Sequence, residues 1–133
     1  EALAADTDPL VAHLADRFGG EAATVMALID ADRSLAEPLV AGLPYVRAEA
    51  VYAARYEMAR SVDDVLSRRT RARLLARDAS AAAAGDVAQL LAPVLGWSAG
   101  EAEDSADEYR RAVALERTSA ELPETALEGL LQA

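Results

Sequence analysis

The sequence predicts an all-α fold, a compact bundle of five to six short helices with mixed crossing angles, and three observations carry that prediction. Thirty-three of its 133 residues are alanine, the strongest helix former, while the β-branched and aromatic residues that favour strands are sparse. Apolar residues recur at offsets of three and four rather than in alternation. Glycine and proline cut the chain into short segments. Few apolar groups are larger than alanine, so the core is expected to be thin and alanine-lined. A chain of this length buries about two thirds of the surface its unfolded form exposes. It therefore needs neither disulfide nor metal, and it has no cysteine.

Each element follows from local chemistry. Thr7, Asp8 and Pro9 open the first helix, because a short polar side chain accepts from orphan amides and proline has no amide to leave unpaired. Leu10, Leu14 and Phe18 share one face of it, and Gly19 and Gly20 end it. Val25, Met26 and Ile29 mark the buried side of a second helix. Residues 33 to 44, with Pro38, Gly42 and Pro44, read as a connection. A helix over Tyr45 to Met58 sets Tyr45, Glu49, Tyr52 and Tyr56 along one stripe, with Val51, Ala54 and Met58 on the adjoining apolar face.

Ser61 with Asp64 resembles a capping box, so a further helix is expected from Val62, with Val62, Val65 and Leu66 inward. Asp78 to Ala84 forms an alanine-rich turn of helix, and Gly85 and Asp86 a restart that leads into Val87, Leu90, Leu91 and Val94. Pro93 should bend or break that rod. Ser98 and Glu101 make a clearer capping box, opening a helix to about Thr118 whose inner face is Ala102, Ala106, Tyr109 and Val113. The domain is thus expected over residues 7–118. Residues 119–133 form an amphipathic tail, opened at Pro123 and carrying Leu127, Leu130 and Leu131 on one side.

The charge is uneven. The chain carries a net -10, yet residues 55 to 77 hold seven arginines, Arg55, Arg60, Arg68, Arg69, Arg71, Arg73 and Arg77, against Glu57, Asp63 and Asp64. With no lysine present, every cation can make a planar bidentate pair with a carboxylate or phosphate. Intramolecular pairing is the expected use of this window, since a chain this acidic is repelled by nucleic acid as a whole. If the helix from Val62 continues at about 100° per residue, Arg69 turns inward. A buried guanidinium needs a carboxylate, which predicts an Arg69–Glu49 pair.

His13, the only histidine, is expected at the surface, and without cysteine neither a zinc site nor a nucleophile–base dyad can be assembled. Trp97 is expected to plug the core at a helix end. Gly19–Gly20 lacks the strand and spaced glycines of a phosphate loop. The acids Glu101, Glu103, Asp104, Asp107 and Glu108 have the spacing of a solvated helix face rather than of a calcium loop. No apolar run approaches the roughly 20 residues of a membrane span, and no secretory signal is present. A cytoplasmic location is the expectation. Glu1 in place of methionine reads as a piece of a longer protein.

Pro44-Tyr45, Ala48-Glu49, Tyr52, Glu57, Asp63-Asp64, the run Leu66-Ser67-Arg68-Arg69-Thr70-Arg71 and the later Leu95-Gly96-Trp97 together resemble the C-terminal α-helical domain of FAD-dependent glycerol-3-phosphate dehydrogenases. The resemblance runs from about Val11 to Tyr109. It implies a parent enzyme whose flavin-binding body oxidises glycerol 3-phosphate to dihydroxyacetone phosphate and passes electrons through FAD to quinone. The dinucleotide fingerprint and the residues that hold flavin and substrate belong to that body, so no catalytic, cofactor or metal residue carries onto this chain. The family signature that does carry over is Glu49, Arg68, Arg69, Thr70 and Arg71, read as structural or as a docking surface toward the body. The body of its own chain is the implied partner, with no nucleic acid. Homo-oligomerisation of the parent stays open, as does its peripheral association with the inner face of the cytoplasmic membrane.

Two other classes compete with an accessory domain of this kind. One is a free-standing interaction module that uses the Arg55–Arg77 window or the C-terminal leucines. The other is a small helical enzyme whose arginines grip an anionic substrate. Against the latter, no acid or base in the sequence has a partner arranged to shift its pKa.

Overall fold

A computed structural model describes residues 8–120 of the chain. The expected all-α class is found, with seven α-helices and no named strand among the described residues. They are α1 Pro9–Phe18, α2 Ala22–Ala31, α3 Arg47–Tyr56, α4 Ala72–Leu75, α5 Arg77–Ala82, α6 Ala84–Leu95 and α7 Ala99–Ala120. Short 3-10 turns at Gly19–Glu21 and Arg33–Ala36 and a π turn at Asp64–Arg69 join them. The expected cap at Thr7 and the amphipathic tail of residues 121–133 lie outside the described residues. Asp8 caps α1 by accepting from the Leu10 amide at 2.8 Å.

α3 is the shared wall of two apolar cores. From Ala48 to Ala53 every residue is buried. Ala50 and Ala53 face the larger core, built with Val62, Val65, Leu66, Val87, Leu91, Ala102, Ala106 and Tyr109. Ala48, Val51 and Tyr52 face a smaller one with Leu14, Val25, Ile29 and Leu35. Alanine on α3, α6 and α7 lets these rods approach closely, which is how a chain short of large apolar groups still closes a core.

Several boundaries differ from expectation. α3 starts at Arg47, because Tyr45 and Val46 are held extended by the Pro38–Val46 bridge and the bond from the Leu39 amide to the Tyr45 carbonyl. It ends at Tyr56. Met58, expected on the apolar face, is 74% exposed with φ 65 and serves as the turn residue that brings the Ala59 amide back to the Ala53 carbonyl. Tyr56, at the end of the tyrosine stripe, is likewise exposed. Residues 33–44 are more than a link, since Leu35, Leu39 and Val40 are buried. The expected restart comes at Ala84, so Gly85 lies inside α6, and α6 runs through Pro93 to Leu95, where Gly96 caps it in the left-handed region.

The helix expected from Val62 becomes the π turn. Its register is i→i+5, with the Thr70 amide bonded to the Val65 carbonyl at 2.9 Å. One extra residue per turn moves every later side chain off the α-helical register. Thr70 therefore takes the inward place, and Arg69 is exposed.

Candidate functional site

Glu49 is the buried polar centre of the molecule, on α3 between the two cores. Its carboxylate accepts from the Val46 amide at 2.8 Å, from His13 Nε2 at 2.8 Å and from Arg17 Nε at 2.5 Å. A carboxylate can only accept, so the His13 nitrogen that faces it carries its proton. Three donors, one of them a guanidinium, satisfy a charge that would be very costly to bury alone.

The predicted Arg69–Glu49 pair is absent, because the π turn carries the Arg69 side chain into solvent. Arg17 takes its place. His13, expected at the surface, is half-buried and donates to the same carboxylate. A sequence signal for both did exist. His13 and Arg17 are four residues apart, on the flank of the Leu10–Leu14–Phe18 stripe, and therefore face the same neighbour.

Arg17 also links this centre to the arginine run. Its Nη2 donates to the Arg69 carbonyl, and its guanidinium lies 4.9 Å from the Phe18 ring centroid and 5.3 Å from that of Tyr45. The neighbouring positions are held too. The buried Thr70 donates its hydroxyl to the Val65 carbonyl at 2.8 Å and accepts from the Ala72 amide at 3.3 Å. The Arg71 amide donates to the Tyr45 hydroxyl at 3.1 Å. The backbone of three consecutive residues is thus fixed by groups anchored in α1, in the π turn and just ahead of α3.

What this fixed backbone displays is positive charge. Arg68, Arg69 and Arg71 are exposed. Arg68 lies 3.7 Å from Asp64 at closest, and Arg69 and Arg71 make no ion pair among the described residues. Arg55 and Arg60 are also exposed and form none among those residues. The expectation that the window is spent on internal pairs holds for Arg73, bonded to Asp63 at 3.1 Å and Glu116 at 3.2 Å, and weakly for Arg77, 3.9 Å from Asp78. Burial pulls the Arg73 guanidinium down, but Glu116 and Asp63 outweigh it and hold it above its ordinary value. The signature residues therefore divide into Glu49 and Thr70, which build the support, and Arg68, Arg69 and Arg71, which it presents.

Other polar groups complete the frame. Arg47 pairs bidentately with Asp86 at 2.9 and 2.8 Å, and that bond holds it above its ordinary value. Trp97 is half-buried against the edge of the larger core. Among the described residues no group of three or more His, Cys, Asp or Glu stands together as a metal site would require. Gly19 and Gly20 join one helix to the next with no strand ahead of them.

The family model for the C-terminal domain of alpha-glycerophosphate oxidase matches residues 4–102, a span that holds the Glu49 centre and the whole arginine run. The chain belongs to that family. Among relatives of this alpha-glycerophosphate oxidase C-terminal domain, glycerol-3-phosphate dehydrogenase 2 of Mycobacterium tuberculosis is 34% identical over 123 residues, 92% of this chain and 21% of the relative. Glycerol-3-phosphate dehydrogenase of Mycobacterium leprae is 33% identical over the same length. A probable mitochondrial glycerol-3-phosphate dehydrogenase of Dictyostelium discoideum is 34% identical over 91 residues, 68% of this chain and 14% of the relative. The chain spans about a fifth of the length of the mycobacterial relatives it matches. No solved structure matches it.

Proposed function

We propose that this chain is the non-catalytic helical accessory domain of an FAD-dependent glycerol-3-phosphate dehydrogenase, and that it docks on the flavin-binding body of its own polypeptide through Arg68, Arg69 and Arg71. The parent oxidises glycerol 3-phosphate to dihydroxyacetone phosphate and delivers the electrons through FAD to quinone. The names and lengths of the relatives support that parentage. The described residues themselves do not fit a flavin, because Gly19–Gly20 is a joint between helices rather than a strand-to-helix phosphate loop. FAD therefore belongs to the remainder of the polypeptide in this reading.

One observation carries the docking role: three exposed guanidinium groups on a backbone pinned at Arg69, Thr70 and Arg71. Exposed arginines contribute little to their own domain's stability. A rigid mount, by contrast, lowers the ordering cost of meeting a partner, and a planar fork suits a partner surface of carboxylates. No helix among the described residues is long and apolar enough to cross a membrane. A cytoplasmic domain on a parent peripheral to the inner membrane face goes with this reading.

The test is the double reversal Arg69→Glu with Arg71→Glu in the full-length protein. Losing two charge-assisted contacts should lower glycerol 3-phosphate to quinone turnover, or flavin retention, by about tenfold or more. The thermal midpoint of the helical domain should hardly move. Unchanged flavin content and turnover would refute the docking role, and the same result after deletion of residues 45–118 would remove the accessory role altogether.

A further inference from the structure

We propose that residues 121–133 fold back to fill a groove between α4, α5 and the end of α7. The groove encloses about 760 Å³, and its lining includes Arg73, Leu74, Ala76, Arg77, Ala79 and Glu116. Exposed apolar groups gather around it. Leu74 is 74% exposed in its wall, Leu75 follows at 56%, and Leu115, adjacent to Glu116 in the chain, is 70% exposed. Its cations are unequally matched. Arg73 holds Asp63 and Glu116, and Arg117 takes Asp78 at close range. Arg77 is left with Asp78 at 3.9 Å, and its buried Nε has no hydrogen-bond partner among the described residues. The site thus offers an apolar floor beside an under-satisfied guanidinium.

The tail has the complementary chemistry. Residues 121–133 contain Leu122, Leu127, Leu130 and Leu131 with Glu121, Glu124 and Glu128, and no cation. At helical spacing Leu127, Leu130 and Leu131 share one side, and Glu124 and Glu128 occupy the adjoining flank. A segment that enters with its leucines down brings carboxylates alongside Arg77.

The connection is also short enough. Glu116 lines the groove and α7 ends at Ala120, four residues or about 6 Å of helix further on. Leu127 is seven residues beyond that end, a span of up to about 23 Å when extended. Pro123 disfavours the helical conformation at Leu122, so the chain is free to leave the axis of α7 where a reversal is required. The inference rests on this groove and this sequence, whatever the activity of the parent.

Hydrogen exchange read by mass spectrometry on the full-length protein tests it. In a chain ended after Ala120, and separately in Leu127→Glu with Leu130→Glu, the amides of residues 72–79 should exchange about tenfold faster or more, the ratio set by losing one buried leucine's contacts. The amides of α3 and α6 should keep their rates. If the shortened chain fails to fold, the double substitution alone gives the reading. Equal rates in the substituted and native proteins overturn the proposal. So does protection of residues 72–79 that falls on dilution of the native protein, which would assign the groove to a second copy.

Discussion

Glu49 and Arg69 were linked by sequence reasoning and are separated by the structure, and the two residues are expected to behave oppositely on substitution. Glu49→Ala leaves the Arg17 guanidinium and the Val46 amide without their acceptor inside the fold. The expected cost is about 3–5 kcal/mol, the range for removing one partner of a buried pair. Arg69→Gln changes an exposed side chain whose anchored atom is its carbonyl, so the expected effect is within about 0.5 kcal/mol. Urea unfolding of the two variants checks both values, and an equal loss in each would restore the pair that the structure lacks. That Glu49 needs a cation was legible, because a carboxylate inside a tyrosine stripe is buried and must be matched. Which cation meets it was not, since that depends on how α1 lies across α3, a contact between residues more than thirty apart. The signature run was legible as a unit, but only the hydrogen bonds of Arg17, Thr70 and Tyr45 separate its supporting members from its displayed ones.

Local chemistry described the helices best where their ends carry their own signals. Ser98 and Glu101 form the full reciprocal cap, with the Ser98 amide donating to Glu101 Oε1 at 2.8 Å and the Glu101 amide to Ser98 Oγ at 3.1 Å. Ser98→Ala should therefore cost about 1 kcal/mol, read as a lowered denaturation midpoint. At Ser61 the box is only half as expected. The hydroxyl accepts from the Asp64 amide at 3.0 Å, but Asp64 reaches back to the Arg60 amide rather than to Ser61. The element that follows is the π turn, and an i→i+5 register leaves no trace in a pattern of apolar spacings because Val62, Val65 and Leu66 are buried in either form. Gly85 was read as a break from composition alone, yet it is a helical residue of α6. A Cβ there would meet Arg110 Nη2 at 3.0 Å, the far end of a flexible side chain already engaged with Asp107 through Nη1. Because that end can swing aside, Gly85→Ala is expected to stabilise the protein by about 0.5–1 kcal/mol. A loss of stability in thermal unfolding would mean that Arg110 is fixed where it stands.

At the scale of the whole molecule the absence of lysine and cysteine has a consequence for alkaline stability. Arginine stays charged throughout the accessible range, so above the amino-terminal titration near pH 8 the four tyrosines are the groups left to ionise. Two of them are held above their ordinary value of 10.0. Burial pushes the Tyr109 phenol up, and its hydroxyl shares a 2.7 Å bond with Ser80 Oγ. Burial also pushes Tyr52 up, with the Glu21 carboxylate adding to it. In the unfolded chain both lose their protons near pH 10, while the folded protein keeps them to higher pH. The folded state then binds more protons, and stability falls as pH rises. This contribution is complete below about pH 10 and disappears as pH passes through the folded values. Urea midpoints measured from pH 8 to 11 should stay level and then decline, and Tyr109→Phe should make the decline shallower even though losing the Ser80 bond lowers the whole curve. Arginines paired to carboxylates, such as Arg47 and Arg73, keep their charge over that range and add no slope of their own. An alkaline limb equally steep in Tyr109→Phe and Tyr52→Phe would show that the decline comes from repulsion within a chain that starts at -10 and grows more negative, and not from the two buried phenols.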